Sequence, residues 1–132
     1  MMAVSGALPV SSTVELVVAI VDDDAGVRGS LESLLRSVGW IGRPFADGAA
    51  LLLSGEEGGI SCIITDLNMP EMSGLALQAE MTRRGWTQPV IMMTAFPTDT
   101  ARDQALAGGA HAFLVKPVDP DALLDAVEQA VA

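Results

Sequence analysis

Four apolar runs in this 132-residue chain end in side chains that could do chemistry. Residues 16–21 (LVVAIV) stop at Asp22, Asp23 and Asp24, and residues 60–65 (ISCIIT) stop at Asp66, with Asn68 two positions further on. Residues 90–94 (VIMMT) close on the hydroxyl of Thr94, and residues 112–115 (AFLV) run into Lys116 and Pro117. Brought together, these groups suit phosphoryl transfer. Closely placed carboxylates repel one another unless a cation sits between them, and a ligand set made only of oxygens, with room for water, favours Mg²⁺ over zinc. A metal and a lysine could then neutralise the equatorial oxygens of a transferring phosphoryl group while a hydroxyl donates to one of them. One carboxylate would act as nucleophile and become an acyl phosphate.

Such a site exists only if the fold gathers the ends of those runs, and the intervening sequence says how. After residues 16–21, Val27, Leu31, Leu34, Leu35 and Val38 fall on one helical face, which Gly39 ends. Residues 40–45 form a weaker strand whose Gly42 and Pro44 place it at a sheet edge. A short helix over 48–54 and a loop over 55–59 lead into the strand ending at Asp66. A helix over 73–84 closes at Gly85, and a weakly amphipathic one over 99–107 closes at Gly108 and Gly109. Asp119 and Pro120 make an N-cap and first-turn pair for a last helix carrying Leu123, Leu124, Val127 and Val131. Five strand-then-helix units with nearly continuous apolar strands predict an open, doubly wound α/β fold with a parallel sheet. In such sheets ligands bind beyond the carboxyl ends of the strands, where the polar residues of the four runs fall.

Each of these residues also has an ordinary structural explanation. Asp24 suits a helix N-cap, Thr94 is a good strand former, and a single lysine is usually solvated. Their coincidence at four strand ends is what points to a site. His111 sits at no such position and is expected in a surface or loop role, while Cys62 belongs to the core. Trp40 and Trp86 fall near strand starts, at the opposite end of the sheet. The spacing of Asp66 and Asn68 resembles the start of a calcium loop, but the later glycine and glutamate are out of register.

Composition narrows the function classes. With 17 acidic against 7 basic residues the net charge is −10, a surface that repels nucleic-acid backbones and anionic lipid. Half the residues are hydrophobic, yet no run reaches the ~20 residues of a membrane span. A single cysteine, with no internal disulfide partner, fits a reducing cytoplasm. Residues 1–13, small and uncharged but broken by Pro9 and serines, read as a flexible extension ahead of one domain over 14–132.

With VDDDAGVR (residues 21–28), TDLNMPEMSGL (65–75), MTA (93–95) and FLVKP (113–117) in this order, the chain resembles the receiver domain of two-component response regulators. The resemblance implies a flavodoxin-like sheet of strand order 2-1-3-4-5. It makes Asp66 the phosphoacceptor for a phosphohistidine on a sensor histidine kinase or a histidine phosphotransfer protein. Asp23 would bind Mg²⁺ directly and Asp22 through water, beside an Asp66 oxygen and the main-chain carbonyl of Asn68. Thr94 corresponds to the switch hydroxyl, Lys116 to the lysine that pairs with the phosphoryl group, Phe113 to an aromatic rotamer switch, and Pro117 to a proline that is usually cis. Phosphorylation would reshape the face made by the helix over 99–107, the strand over 112–115 and the last helix.

The resemblance also frames what the chain is not. The expectation is a signalling domain rather than a multiple-turnover enzyme, acting on an unknown downstream protein and binding neither nucleic acid nor membrane. Ending where the last helix finishes, it is expected to stand alone; the alternative is the receiver of a longer helix-turn-helix DNA-binding regulator. Near the output face Arg102 stands among Asp99, Asp103, Asp119, Asp121, Asp125 and Glu128, which argues against dimerisation through a ladder of alternating charges and for a monomer or weak dimer. Two other classes remain: an aspartyl-phosphate phosphatase of the haloacid-dehalogenase kind, and a receiver-like interaction module indifferent to phosphate. The former has a second acid where Asn68 stands, places that pair after its first strand, and normally needs a longer chain.

Overall fold

The computed structural model describes residues 15–132, so the expected extension over 1–13 lies outside the described residues. The elements are β1 (Val17–Val21), α1 (Ala25–Ser37), β2 (Ile41–Phe45), α2 (Gly48–Leu53), β3 (Cys62–Asp66), α3 (Gly74–Arg83), β4 (Val90–Thr94), α4 (Asp99–Ala107), β5 (Ala112–Val115) and α5 (Pro120–Val131). All strand pairings are parallel, and the sheet order is β2-β1-β3-β4-β5. This is the doubly wound, flavodoxin-like arrangement, with its reversal of winding between β1 and β3.

Strand periodicity divides the core into two layers. Val18 and Ile20 of β1, with Cys62 and Ile64 of β3 and Ile91 and Met93 of β4, pack against Leu31 and Leu35 of α1 and Leu123 and Val127 of α5. The alternate residues Ala19, Val21, Ile63 and Met92 face Leu51 of α2, Leu77 and Met81 of α3 and Ala105 of α4. Because successive side chains point to opposite faces, strands buried on both sides must be apolar at every position, and β1, β3 and β4 nearly are.

Helix starts are set by side-chain caps. Asp24, Asp47, Ser73, Thr98 and Asp119 each accept from backbone N–H groups in the first turn of the helix they precede. Two expectations need adjustment. Residues 57–59, expected as plain loop, form a short 3-10 turn, and β3 begins only at Cys62 and takes in Asp66 itself. Gly42 does more than weaken an edge strand: a Cβ there would lie 3.0 Å from Ile20 Cδ1 and 3.2 Å from Glu32 Cα, so its absence lets α1 lie close over β2.

Helix α4 is the least embedded. Of its residues only Ala105 is buried, and its inner end is fixed by Gln78 of α3, whose Nε2 donates to the Ala105 carbonyl at 3.0 Å in a buried setting. An element with so little apolar surface covered opens at low cost.

Cys62 lies wholly inside the sheet, and burial pushes its thiol up to about 12. Since the thiolate is the reactive form, iodoacetamide at pH 8 should leave the native protein unmodified over hours and alkylate Cys62 within minutes in urea. Rapid labelling without denaturant, followed by mass spectrometry, would contradict this core placement.

Candidate functional site

The carboxyl ends of the parallel strands bring the sequence-derived residues to one edge. Asp22 follows β1 directly, Asp66 and Thr94 are the last residues of β3 and β4, and Lys116 follows β5. The register carries them into line, with Asp66 beside Met93 and Thr94 beside Val115. Carboxylate oxygens of Asp22, Asp23 and Asp66 lie within 4.8 Å of one another, although Asp22 and Asp66 are buried and Asp23 is exposed.

Lys116 is the cation that this cluster holds. Its Nζ donates to Asp22 Oδ2 at 2.7 Å and stands 3.5 Å from Asp66 Oδ2. Asp22 has no exposed surface, and its other oxygen accepts from the Asp24 N–H at 2.9 Å, so both oxygens of the buried carboxylate are satisfied. Burial works to depress the Lys116 ammonium, but the hydrogen bond and charge of Asp22, reinforced by Asp66, raise it above the ordinary lysine value. Asp66 accepts the Asn68 N–H at 3.3 Å through Oδ1. Burial pushes its carboxyl above the usual range, and Lys116 opposes that shift without overcoming it.

Thr94, fully buried, donates its hydroxyl proton to Asn68 Oδ1 at 2.6 Å and accepts from the Phe96 N–H at 3.0 Å. Phe113 of β5 is half-buried and packs on the α2–α3–α4 side of the sheet. The Lys116–Pro117 peptide is cis, and the Lys116 N–H donates to the Thr94 carbonyl at 2.8 Å. His111 and Cys62 stand at strand starts, at the far end of the sheet, so the described donors around Asp66 are oxygens. That donor set fits a hard divalent cation such as Mg²⁺.

Several parts were not found by sequence reasoning. Arg28 Nη1 donates to the Asp22 carbonyl at 2.7 Å, tying α1 to the end of β1. Gly74 opens α3 against Asp66: a Cβ there would lie 2.5 Å from the Asp66 carbonyl oxygen and 2.7 Å from Met92 Sδ. Only a glycine lets the helix start so near the strand. The side-chain amide of Asn68 engages Thr94. Neither partner could be read from spacing, since the two are 26 residues apart and meet only across β3 and β4.

Comparison with known proteins agrees with this fold. The family model described as the response regulator receiver domain matches residues 18–128. Among curated relatives, the chain is 40% identical over 112 residues to the transcriptional regulatory protein FixJ of Azorhizobium caulinodans, covering 85% of this chain and 53% of that protein. It is 37% identical over 115 residues to the transcriptional regulatory protein TdiR of Thauera aromatica, covering 87% and 51%. The chain thus spans about half the length of these relatives. Among solved structures, the response regulator StyR superposes with a TM-score of 0.80 at 36% identity, over 89% of this chain and 60% of that one. The chemotaxis protein CheY4 of Vibrio cholerae gives 0.80 at 28% identity, over 89% and 99%. A five-stranded parallel sheet with acids, a hydroxyl and a lysine at its carboxyl edge defines a signalling receiver, and this chain belongs to the response regulator receiver domain family of two-component systems.

The raised Asp66 carboxyl has a consequence for stability. A buried acid that holds its proton more tightly when folded opposes folding once ionised: the cost is absent below the unfolded value of 3.8 and appears as pH rises through the folded value. In chelator at pH 7, Asp66→Asn should therefore melt a few degrees higher than the unaltered protein, and the gain should vanish near pH 3.5. A lower melting temperature at pH 7, by circular dichroism, would show that the carboxylate is a net stabiliser.

Proposed function

We propose that Asp66 is a phosphoacceptor, charged from a phosphohistidine on a sensor histidine kinase or a histidine phosphotransfer protein. The observation that carries this reading is the meeting of Asp22, Asp23, Asp66, Thr94 and Lys116, from four separate strand ends, at one edge, with the three carboxylates within 4.8 Å of one another and Lys116 paired to two of them. An Asp66 oxygen attacks phosphorus, the P–O bond forms as the P–N bond breaks, and the departing imidazole keeps the electron pair. Lys116, already 3.5 Å from Asp66, pairs with a phosphoryl oxygen and limits charge build-up. Asp22 holds that ammonium in place from its other side.

Asp22, Asp23, Asp66 and the main-chain carbonyl of Asn68 form the set that would hold Mg²⁺. When bound, the ion supplies fixed divalent charge against the phosphoryl oxygens. The acyl phosphate adds ~1.5 to 2 negative charges and three acceptors beside Thr94. Rotation of Thr94 toward it, followed by Phe113, would alter the face of α4, β5 and α5, where α4 is the lightly held element. The protein in this reading completes one transfer per phosphorylation instead of turning over an external substrate.

The output is proposed to be contact with a downstream protein. Relatives named as transcriptional regulators make a joined DNA-binding domain the alternative setting for the same switch. The acidic chain itself is not proposed to touch nucleic acid, and no described helix is long and apolar enough to cross a membrane. Cytoplasmic location and a monomer or weak dimer complete the reading; the preponderance of acids over Arg102 along α4 and α5 disfavours a dimer by alternating charges.

Incubation with Mg²⁺ and a small acyl-phosphate donor should give one hydroxylamine-sensitive phosphoryl group per chain. Asp66→Ala or excess chelator should abolish it. Uptake undiminished in Asp66→Ala, measured by intact mass, would remove Asp66 from the role, and no uptake from any competent donor would favour a phosphate-indifferent module.

A further inference from the structure

We propose that the side-chain amide of Asn68 is a latch on Thr94, holding the one proton of the Thr94 hydroxyl until a phosphoryl group displaces it. The inference rests on the phosphoacceptor reading of Asp66 and assigns Asn68 as a positioning residue for that site. Thr94 Oγ1 donates to Asn68 Oδ1 at 2.6 Å and accepts from the Phe96 N–H at 3.0 Å. A hydroxyl has a single proton, so Thr94 cannot serve Asn68 and a phosphoryl oxygen together. The two acceptors compete.

Burial makes the competition unequal for the two partners. Thr94 has no exposed surface and cannot turn to water, and a buried hydroxyl without an acceptor is costly. Asn68 is exposed, so its released amide is simply hydrated. Thr94 therefore needs one acceptor or the other, while Asn68 needs neither. The amide consequently stabilises the unphosphorylated arrangement alone, and each new phosphoryl contact must first overcome it.

Residue 68 also touches both ends of the switch. Its N–H donates to Asp66 Oδ1 at 3.3 Å while its side chain holds Thr94. The Phe96 N–H hangs from the same Thr94 oxygen, and the Phe96 ring is 73% exposed ahead of α4. Release of Thr94 would thereby loosen the entry to the most weakly packed helix.

Beryllofluoride, an acyl-phosphate mimic, tests the latch by amide NMR titration in Mg²⁺, with Thr94→Val as the isosteric background lacking the hydroxyl. Asn68→Ala keeps the main-chain carbonyl and should bind beryllofluoride about fivefold more tightly, the net worth of one hydrogen bond at about 1 kcal/mol. Before beryllofluoride is added, its Thr94 side-chain couplings should report rotamer averaging absent from the unaltered protein. In the Thr94→Val background, Asn68→Ala should change nothing. Equal or weaker binding by Asn68→Ala, or a gain that persists in Thr94→Val, would overturn the latch and leave the phosphoacceptor reading intact. Absence of binding by the unaltered protein would overturn both.

Discussion

Three carboxylates within a few ångströms, two of them buried, face a single ammonium, and that imbalance governs the site. Like charges in a low-dielectric edge are tolerated only when something holds them there. Lys116 does so by ion-pairing with the fully buried Asp22 across 94 residues of chain, and the backbone N–H groups of Asp24 and Asn68 supply the rest. The cost is visible in Asp66, whose carboxyl stays above its usual range although Lys116 is close. A site in that condition is poised for added positive charge.

The rest of the fold keeps this arrangement rigid on one side and yielding on the other. Arg28 ties α1 to the Asp22 carbonyl, and Gly74 lets α3 start against Asp66, so the acids are fixed by elements with well-covered apolar faces. Thr94 leads instead to Phe96 and α4, an element with one buried residue and a single buried side-chain anchor in Gln78. Charge chemistry at the edge thus meets its weakest mechanical resistance in the direction of α4. Coupling a strong local interaction to a marginally packed element is the arrangement that the proposed switch would use.

Much of this was legible in the chain itself. Apolar runs of strand length, helical faces between them, and the Asp24 and Asp119 caps predict five β then α units, because strand and helix periodicities are local properties of sequence. The carboxyl-edge location of Asp22, Asp66, Thr94 and Lys116 follows from parallel topology, which places every strand end on the same side. Gly42 shows the limit of such reading. As an isolated residue it weakens a strand, and only the nearness of Ile20 and Glu32 reveals that its missing side chain admits α1.

Sequence by itself determined which residues end the strands and therefore which chemistry is available at the edge. Tertiary structure alone decided how those residues partner: that Lys116 binds Asp22 more closely than Asp66, that Asn68 holds Thr94, and that Gly74 gives way to the Asp66 carbonyl. The division has a simple cause. Backbone periodicity is set by neighbours a few residues apart, whereas hydrogen-bond partners are chosen among atoms brought within ~3 Å by the packing of remote segments, and that distance is a property of the whole sheet.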